Sequence, residues 1–299
     1  MGSPDFALPT LEELHRSYQV VGVVTQPDRP AGRGRRPQAC AVKQRALELG
    51  LDVYQPESLR RLSAVAELAK FAPDLIVVAA YGQILPKEVL EMPRYGCINV
   101  HASLLPAWRG ASPIQAAIAN GDSQTGVTIM LMDEGMDTGA ILAQRSVPIR
   151  QGTNAAELSD QLAHLGARTL LEILPAYMHG TLAAIPQDDS RKSYAPKLSK
   201  QDSLLDFSLP AQTLLNKINA YQPWPGAVYE WQGKRLKIVD AHVHPTFECD
   251  PRGRFVVNGL PAICTNDGLL VLETVQPEGK KAMSGKAFLN GQPGWLDEE

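Results

Sequence analysis

Asp74-Leu75-Ile76-Val77-Val78-Ala79-Ala80 is apolar at almost every position. A strand with no polar face must be covered on both sides, which parallel sheets flanked by helices provide. Reading upstream, Val20-Val21-Gly22-Val23-Val24 and Leu51-Asp52-Val53-Tyr54 form further strands. Helices at about 41–49, ended by Gly50, and near 58–71 separate them. Downstream come strands at about 97–101 and 126–132 with a helix at about 112–120 between them. The alternation predicts an open, mostly parallel, Rossmann-like α/β sheet with crossover helices.

One element of that pattern is absent. Thr10-Leu11-Glu12-Glu13 has capping-box spacing and opens a short helix, yet only a Gly-Ser-Pro loop stands before it. A βαβ pattern starts with a strand, and doubly wound orders put that first strand at the sheet's centre. The natural protein is therefore expected to begin several residues upstream of Met1. A helix near 154–175 closes the first domain, 1–189. A linker at 190–206 follows, with Pro196 and the cations Arg191, Lys192, Lys197 and Lys200. Residues 207–299 carry one helix and then β-runs separated by Gln232-Gly233, Asn258-Gly259 and Asn266-Asp267-Gly268. These turn signals predict a small, OB-like C-terminal β-barrel.

With 299 residues, the chain suits two cores. A net charge of −3 and 44% hydrophobic residues exclude disorder and a generally basic nucleic-acid coat. No apolar run approaches the ~18–20 residues that cross a bilayer, and the first residues lack the pattern of a signal peptide. Cys40, Cys97, Cys249 and Cys264 stand far apart without metal-ligand spacing, so reduced thiols, no metal and a cytoplasmic location are expected.

The chemistry concentrates between residues 97 and 139. In Cys97-Ile98-Asn99-Val100-His101 the two polar residues are two apart and share a face at the carboxyl end of a strand, where open α/β sheets hold ligands. Taken alone, the pair also fits buried polar groups that satisfy a neighbouring loop. Asp133-Glu134-Gly135-Met136-Asp137-Thr138-Gly139 follows another strand and can bring a carboxylate to the same crevice. An amide, an imidazole and a carboxylate suit acyl transfer to an amine: Asn99 and a protonated His101 donate to a developing oxyanion, and Asp137 orients the ring. No G-x-S-x-G elbow or reactive-cysteine setting is present, which favours direct attack by a substrate amine.

These segments resemble a known family. Asn99-Val100-His101-Ala102-Ser103-Leu104-Leu105-Pro106, Trp108-Arg109-Gly110-Ala111-Ser112-Pro113 and Asp137-Thr138-Gly139 are similar to the signature of the 10-formyltetrahydrofolate-dependent formyltransferases, in particular those acting on methionyl-tRNA. The likeness continues in Gly2-Ser3-Pro4-Asp5-Phe6, Tyr194-Ala195-Pro196-Lys197-Leu198, Pro223-Trp224-Pro225-Gly226 and Glu278-Gly279-Lys280-Lys281. It departs from the family at the absent first strand.

The resemblance implies Asn99, His101 and Asp137 as the catalytic set, 10-formyltetrahydrofolate as formyl donor, and initiator methionyl-tRNA as acceptor, with the formyl carbon passing through a tetrahedral intermediate. It implies Ser103, Leu104, Leu105 and Pro106 as folate contacts. Tyr81, Gly82, Ile84 and Leu85, after the 74–80 strand, form a second wall or an ordinary turn. The loop 28–37 carries Arg29, Arg33, Arg35 and Arg36 against Asp28, a local charge of +3, and suits phosphate contact and base stacking on the acceptor stem. Lys197, Lys234, Arg235, Lys237, Lys280 and Lys281 are further tRNA candidates. Trp108-Arg109-Gly110 is either a substrate lining or a core Trp with a surface charge. The protein is expected to be a monomer without membrane attachment. Sugar-nucleotide formyltransferases and a non-catalytic tRNA- or folate-binding protein are the rival readings.

Overall fold

The computed structural model describes residues 1–31, 36–245 and 249–296. The chain forms two compact units: Met1–Pro113 with Gln124–Pro148 and Ser159–Pro196, and Ile114–Ser123 with Ile149–Leu158 and the chain from Lys197 onward.

In chain order the first part contains α1 (Leu8–Ser17), β1 (Val23–Val24), the arginine-bearing pair β2 (Arg29–Ala31) and β3 (Arg36–Gln38), α2 (Ala41–Glu48), β4 (Val53–Tyr54), α3 (Leu62–Ala69), β5 (Ile76–Val78) and α4 (Lys87–Leu90). There follow β6 (Cys97–His101), β7 (Arg109–Gly110), α5 (Pro113–Asn120), β8 (Gln124–Leu131), β9 (Ile141–Pro148), α6 (Ala155–Met178) and β10 (Tyr194–Ala195). Helix α1 starts two residues before the expected cap, with a proline in its first turn. The Thr10 hydroxyl is buried without a partner, so the capping-box spacing does not make a cap here. Gly50 ends α2 with φ of 70°, as expected of a left-handed C-terminal glycine.

β1 pairs with β4 in parallel, and β5-β6-β8-β9 form a four-stranded sheet. Met1 and Gly2 join the two: the Met1 amine donates to the Val77 carbonyl at 2.6 Å, Ala79 N–H donates to the Met1 carbonyl, and Gly2 N–H donates to the Val24 carbonyl. The full order is thus β4, β1, Met1–Gly2, β5, β6, β8, β9. β5 and β6 are parallel, with Val78 opposite Asn99. β8, expected as another parallel strand, runs antiparallel to β6, with His101 opposite Thr128, and β9 is antiparallel to β8. A buried apolar run carries no sign of its direction, so the connection and not the composition decides it. α6 lies on this sheet at Gly166, where any Cβ would come within 2.5 Å of Val100 Cγ1. Val24, Leu59, Leu68, Ile76, Val78 and Val89 form a core on the β1–β5 side.

The C-terminal part continues with α7 (Ala211–Ala220), β11 (Ala227–Trp231), β12 (Lys234–Pro245), β13 (Arg254–Val257), β14 (Leu260–Cys264), β15 (Gly268–Pro277), β16 (Met283–Ser284) and α8 (Gly285–Asn290). Its antiparallel sheet has the order β11-β12-β15-β14-β13, with β16 on β15. Gln232-Gly233 and Asn258-Gly259 occupy two-residue hairpin turns with all four φ angles positive, as the turn signals require. A register shift between Ile238 and Ala241 bends β12. Leu214 and Ile218 of α7 join Ile238, Leu272, Phe288 and Trp295 in the core. Cys249 and Cys264, expected as separate thiols, form a disulfide with Cα atoms 6.1 Å apart. Their spacing resembles no known pattern; the turn at 250–253 bonds Cys264 through backbone groups of Arg252 and Gly253, and that folds one cysteine onto the other. Cys40 and Cys97 remain free.

Candidate active site

β6 projects Asn99 and His101 from one face at its carboxyl end, and the loop after β8 brings Asp137 to them. Asn99 Nδ2 donates to Asp137 Oδ1 at 3.4 Å, and His101 Nδ1 lies 3.6 Å from the same oxygen. The other carboxylate oxygen accepts from Gly110 N–H at 2.8 Å. His101 is buried while Asp137 keeps 19% of its side chain exposed, so the cluster opens to solvent on the carboxylate side. His101 Nε2 lies 3.1 Å from the Trp108 carbonyl. Since a carbonyl can only accept, Nε2 carries a proton there; in the neutral ring Nδ1 then presents a lone pair toward Asp137, and only the imidazolium donates on both sides.

Asp137 is held by parts of the chain that periodicity does not reveal. It has φ of 54°, the left-handed region that costs a non-glycine residue ~1–2 kcal/mol. Gln187 spans the turn, donating through Nε2 to the carbonyls of Asp137 and Gly139, both at 2.8 Å. Its Oε1 accepts from Arg109 Nε at 3.1 Å and Nη2 at 2.7 Å, and Nη2 also donates to Asp189 at 2.7 Å. Arg109 is 1% exposed, so it must be paired where it lies. The hydrogen bond from Arg109, then its charge, holds the Asp189 carboxyl below the usual range. β7 and β10 pair in parallel with Gly110 opposite Ala195, and a Cβ at Gly110 would meet the Ala195 carbonyl at 2.5 Å. Arg109 thus answers the open question at Trp108-Arg109-Gly110 as a buried brace. Gln187 went unread because a lone glutamine between the closing helix and the linker carries no pattern.

The segment 103–106 leaves β6 directly. Leu105 N–H donates to Thr128 Oγ1 at 3.1 Å, Thr128 donates to the Ser103 carbonyl at 2.6 Å, and Gln144 Nε2 donates to the Leu105 carbonyl at 2.8 Å. The Ser103 hydroxyl is turned inward to the Ala107 carbonyl, and Leu105 is buried; Leu104 and Pro106 are partly exposed. In the segment after β5, Tyr81 and Leu85 are core side chains, and burial raises the Tyr81 phenol pKa. Gly82, with φ of 78°, and the exposed Ile84 remain at the surface. β5 and β6 are parallel neighbours, so both segments leave the sheet at one edge. Among the described residues, no three His, Cys, Asp or Glu side chains gather as a metal site, and no helix is long and apolar enough to cross a membrane.

Arg29 is exposed, with Nη2 3.2 Å from Gln26 Oε1. Arg33 and Arg35 lie outside the described residues, and Arg36 is described by its backbone alone, opposite Ala31. In the C-terminal unit the register gathers the other cations: Lys237 stands opposite Gln276, Arg235 N–H meets the Glu278 carboxylate, and the turn after Pro277 carries Lys280 and Lys281. Lys234, at the start of β12, is exposed with Lys280 and Lys281, so five cations share one end of this sheet. Lys197 is exposed and stands apart in sequence from these five, ahead of α7.

Residues 2–174 match the family Formyl transferase and residues 197–293 match Formyl transferase, C-terminal domain. The chain is 50% identical over 296 residues to the methionyl-tRNA formyltransferase of Roseiflexus castenholzii, covering 97% of this chain and 94% of that one. It is 48% identical to that of Thiobacillus denitrificans, covering 97% and 95%. Among solved structures, an N-formyltransferase from Helicobacter canadensis shares the fold at TM-score 0.67 and 18% identity, covering 92% of this chain and 97% of that one. HypX from Aquifex aeolicus in complex with tetrahydrofolic acid does so at TM-score 0.61 and 20% identity, covering 92% and 47%. On these matches the chain belongs to the formyl transferase family, among the methionyl-tRNA formyltransferases.

Proposed function

We propose that the chain transfers the formyl group of 10-formyltetrahydrofolate to the free amine of initiator methionyl-tRNA, giving N-formylmethionyl-tRNA and tetrahydrofolate. The observation that carries this is the convergence of Asn99, His101 and Asp137 on one carboxylate oxygen, in a chain about half identical to enzymes of that name. The partly apolar edge of Leu104, Pro106, Gly82 and Ile84 beside that polar cluster fits a flat heteroaromatic ring bearing a polar one-carbon group. Ser103, Leu105, Tyr81 and Leu85 support this edge from within, through backbone and core packing. The folate supplies an acyl carbon already bonded to a nitrogen leaving group.

The α-amine of an aminoacyl ester is substantially neutral near pH 7.7–8.0, the ordinary α-amino range, so it attacks without a strong base. As the C–N bond forms, the formyl oxygen gains charge. Asn99 has a second Nδ2 hydrogen to donate to it, beyond the one directed at Asp137. The attacking nitrogen must lose a proton and the departing folate nitrogen must gain one, and the Asp137–His101 pair stands where a shared proton can move.

Arg29, Arg33, Arg35 and Arg36 on the catalytic unit, and Lys234, Arg235, Lys237, Lys280, Lys281 and Lys197 on the C-terminal unit, are the cations we assign to tRNA phosphates. The working division is 1–189 for chemistry, 190–206 as linker and 207–299 for tRNA. A cytoplasmic monomer fits these substrates; the placement rests on them and not on the cysteines. The test is formyl transfer to charged initiator tRNA against free methionine and charged elongator tRNA. Equal transfer to free methionine would overturn the tRNA assignment.

A further inference from the structure

Three glutamines tie together the segments that follow β1, β4 and β5, all within the first unit. Gln55, just after β4, donates through Nε2 to the Gln26 carbonyl at 2.8 Å and to Asp28 Oδ1 at 2.9 Å, with Thr25 Oγ1 3.1 Å from the same nitrogen. Gln83, after β5, donates to the Pro56 carbonyl at 3.0 Å and accepts from Leu59 N–H at 3.1 Å. Gln26, after β1, closes the ring by donating through Nε2 to the Tyr81 carbonyl at 3.1 Å. Its own backbone N–H donates to the Ser3 hydroxyl at 3.0 Å. A primary amide suits such a tie because it donates and accepts without a charge that must be desolvated.

Gln26 reaches further than this ring. Its Oε1 accepts from Arg29 Nη2 at 3.2 Å, and Arg29 opens β2, the first strand of the arginine-bearing hairpin. An arginine can only donate and a carbonyl can only accept, so these two partners fix which way the Gln26 amide faces. The root of the hairpin is fixed from the other side by Asp28, whose Oδ2 accepts from Lys43 Nζ of α2 at 2.6 Å. The hydrogen bond from Lys43, then that from Gln55, holds the Asp28 carboxyl below the usual range. At the Tyr81 end the backbone is constrained: Ala80 has φ of 48° and Gly82 φ of 78°, so the carbonyl that Gln26 grips lies between two left-handed residues. The Tyr81 side chain is buried in the core, and a Cβ at Gly82 would lie 3.6 Å from Gln26 Nε2, so the amide rests against the Gly82 backbone.

We propose that Gln26 is a positioning residue shared by the two substrates: one amide holds the Tyr81–Gly82 peptide of the folate edge and the guanidinium at the start of the tRNA-facing hairpin. This rests on the assignment of Gly82 and Ile84 to folate and of Arg29 to tRNA made under the proposed function. Because Arg29 fixes the rotamer of Gln26, it also fixes the direction of the Nε2 donor. Losing Arg29 therefore loosens the folate edge, and does so only through Gln26.

The test measures Kd for tetrahydrofolate on the full chain by quenching of tryptophan fluorescence, without tRNA. Gln26→Glu keeps the size of the side chain and its acceptor for Arg29 but loses the donor to Tyr81, and should raise Kd by about fivefold. Arg29→Met should raise Kd about two- to threefold in the parent and leave it unchanged in the Gln26→Glu background, the non-additivity of groups that act through one another. Gln26→Met, which loses both contacts, should also raise KM for tRNA about threefold, while kcat at saturation of both substrates falls by less than either KM rises. A Gln26→Glu chain that binds tetrahydrofolate as the parent does overturns the proposal, because size alone would then suffice. So does an Arg29→Met effect of equal size in both backgrounds. A parent that binds no tetrahydrofolate removes the folate reading and this proposal with it, whereas a parent and variants that bind it equally remove the proposal alone.

Discussion

Replacing Gln187 by glutamate alters half of one side chain's contacts and leaves the other half in place. The two oxygens of the new carboxylate can still accept from Arg109, now as a charged pair, and a buried guanidinium gains from that. The two Nε2 bonds of 2.8 Å to the Asp137 and Gly139 carbonyls are lost and replaced by oxygen facing oxygen. At ~1 kcal/mol per bond these contribute about 2 kcal/mol. That is close to the ~1–2 kcal/mol cost of the left-handed backbone at Asp137 that they offset. Without them the carboxylate drifts from Asn99 and His101, neither of which it holds by a short bond. Converting about 1.4–2.7 kcal/mol at one decade per 1.36 kcal/mol gives a fall in kcat of ~10–100-fold. KM for folate and for tRNA should stay within about twofold, because the hydrogen bonds of Gln187 go to the loop and to Arg109. Thermal unfolding monitored beside steady-state kinetics separates this from simple destabilisation, since the midpoint should hold. A kcat within twofold of the parent would refute the clamp, and a matching drop in midpoint would make Gln187 a folding residue only.

Asp137→Asn keeps the shape and an acceptor but removes the charge beside His101; kcat should fall by at least ~100-fold with folate binding, measured by fluorescence quenching, nearly unchanged. Gly110→Ala places a Cβ 2.5 Å from the Ala195 carbonyl at φ of 121°, so chemical denaturation should show a loss of about 3 kcal/mol or more. Reversing Lys280 and Lys281 to glutamate should raise KM for tRNA and flatten its dependence on salt, with kcat on saturating tRNA retained. The Met1 amine gives a pH effect of definite sign. Its folded pKa of about 6 lies below the unfolded 8.0, so the unfolded chain binds the extra proton between those values. Stability should therefore rise with pH across that window, by on the order of 2–3 kcal/mol, and urea titrations at pH 5.5 and 8.5 on chain with a free or an acetylated amine would isolate it.

What could be read in the chain beforehand divides along a physical line. Asn99 and His101 were legible because a strand's period of two forces two polar residues onto one face, whatever surrounds them. Gln232-Gly233 and Asn258-Gly259 were legible because few residues adopt positive φ. Each is a local property, complete within a handful of residues. The direction of β8, the disulfide between Cys249 and Cys264, and the inward turn of Tyr81 depend on partners distant in sequence, and no window contains them. Gln187 belongs with these: its amide reaches back to residues 137 and 139 and its carbonyl to Arg109, three segments that meet only after the sheet and β7–β10 have formed. Met1 and Gly2 likewise gain their partners, Val24 on one side and Val77 and Ala79 on the other, only once the sheet has formed. Asn99 and His101 stand on β6, one strand beyond β5, whereas Asp137 reaches them from the loop after β8, so the pair that a strand's period reveals meets its carboxylate only when β6 and β8 have paired.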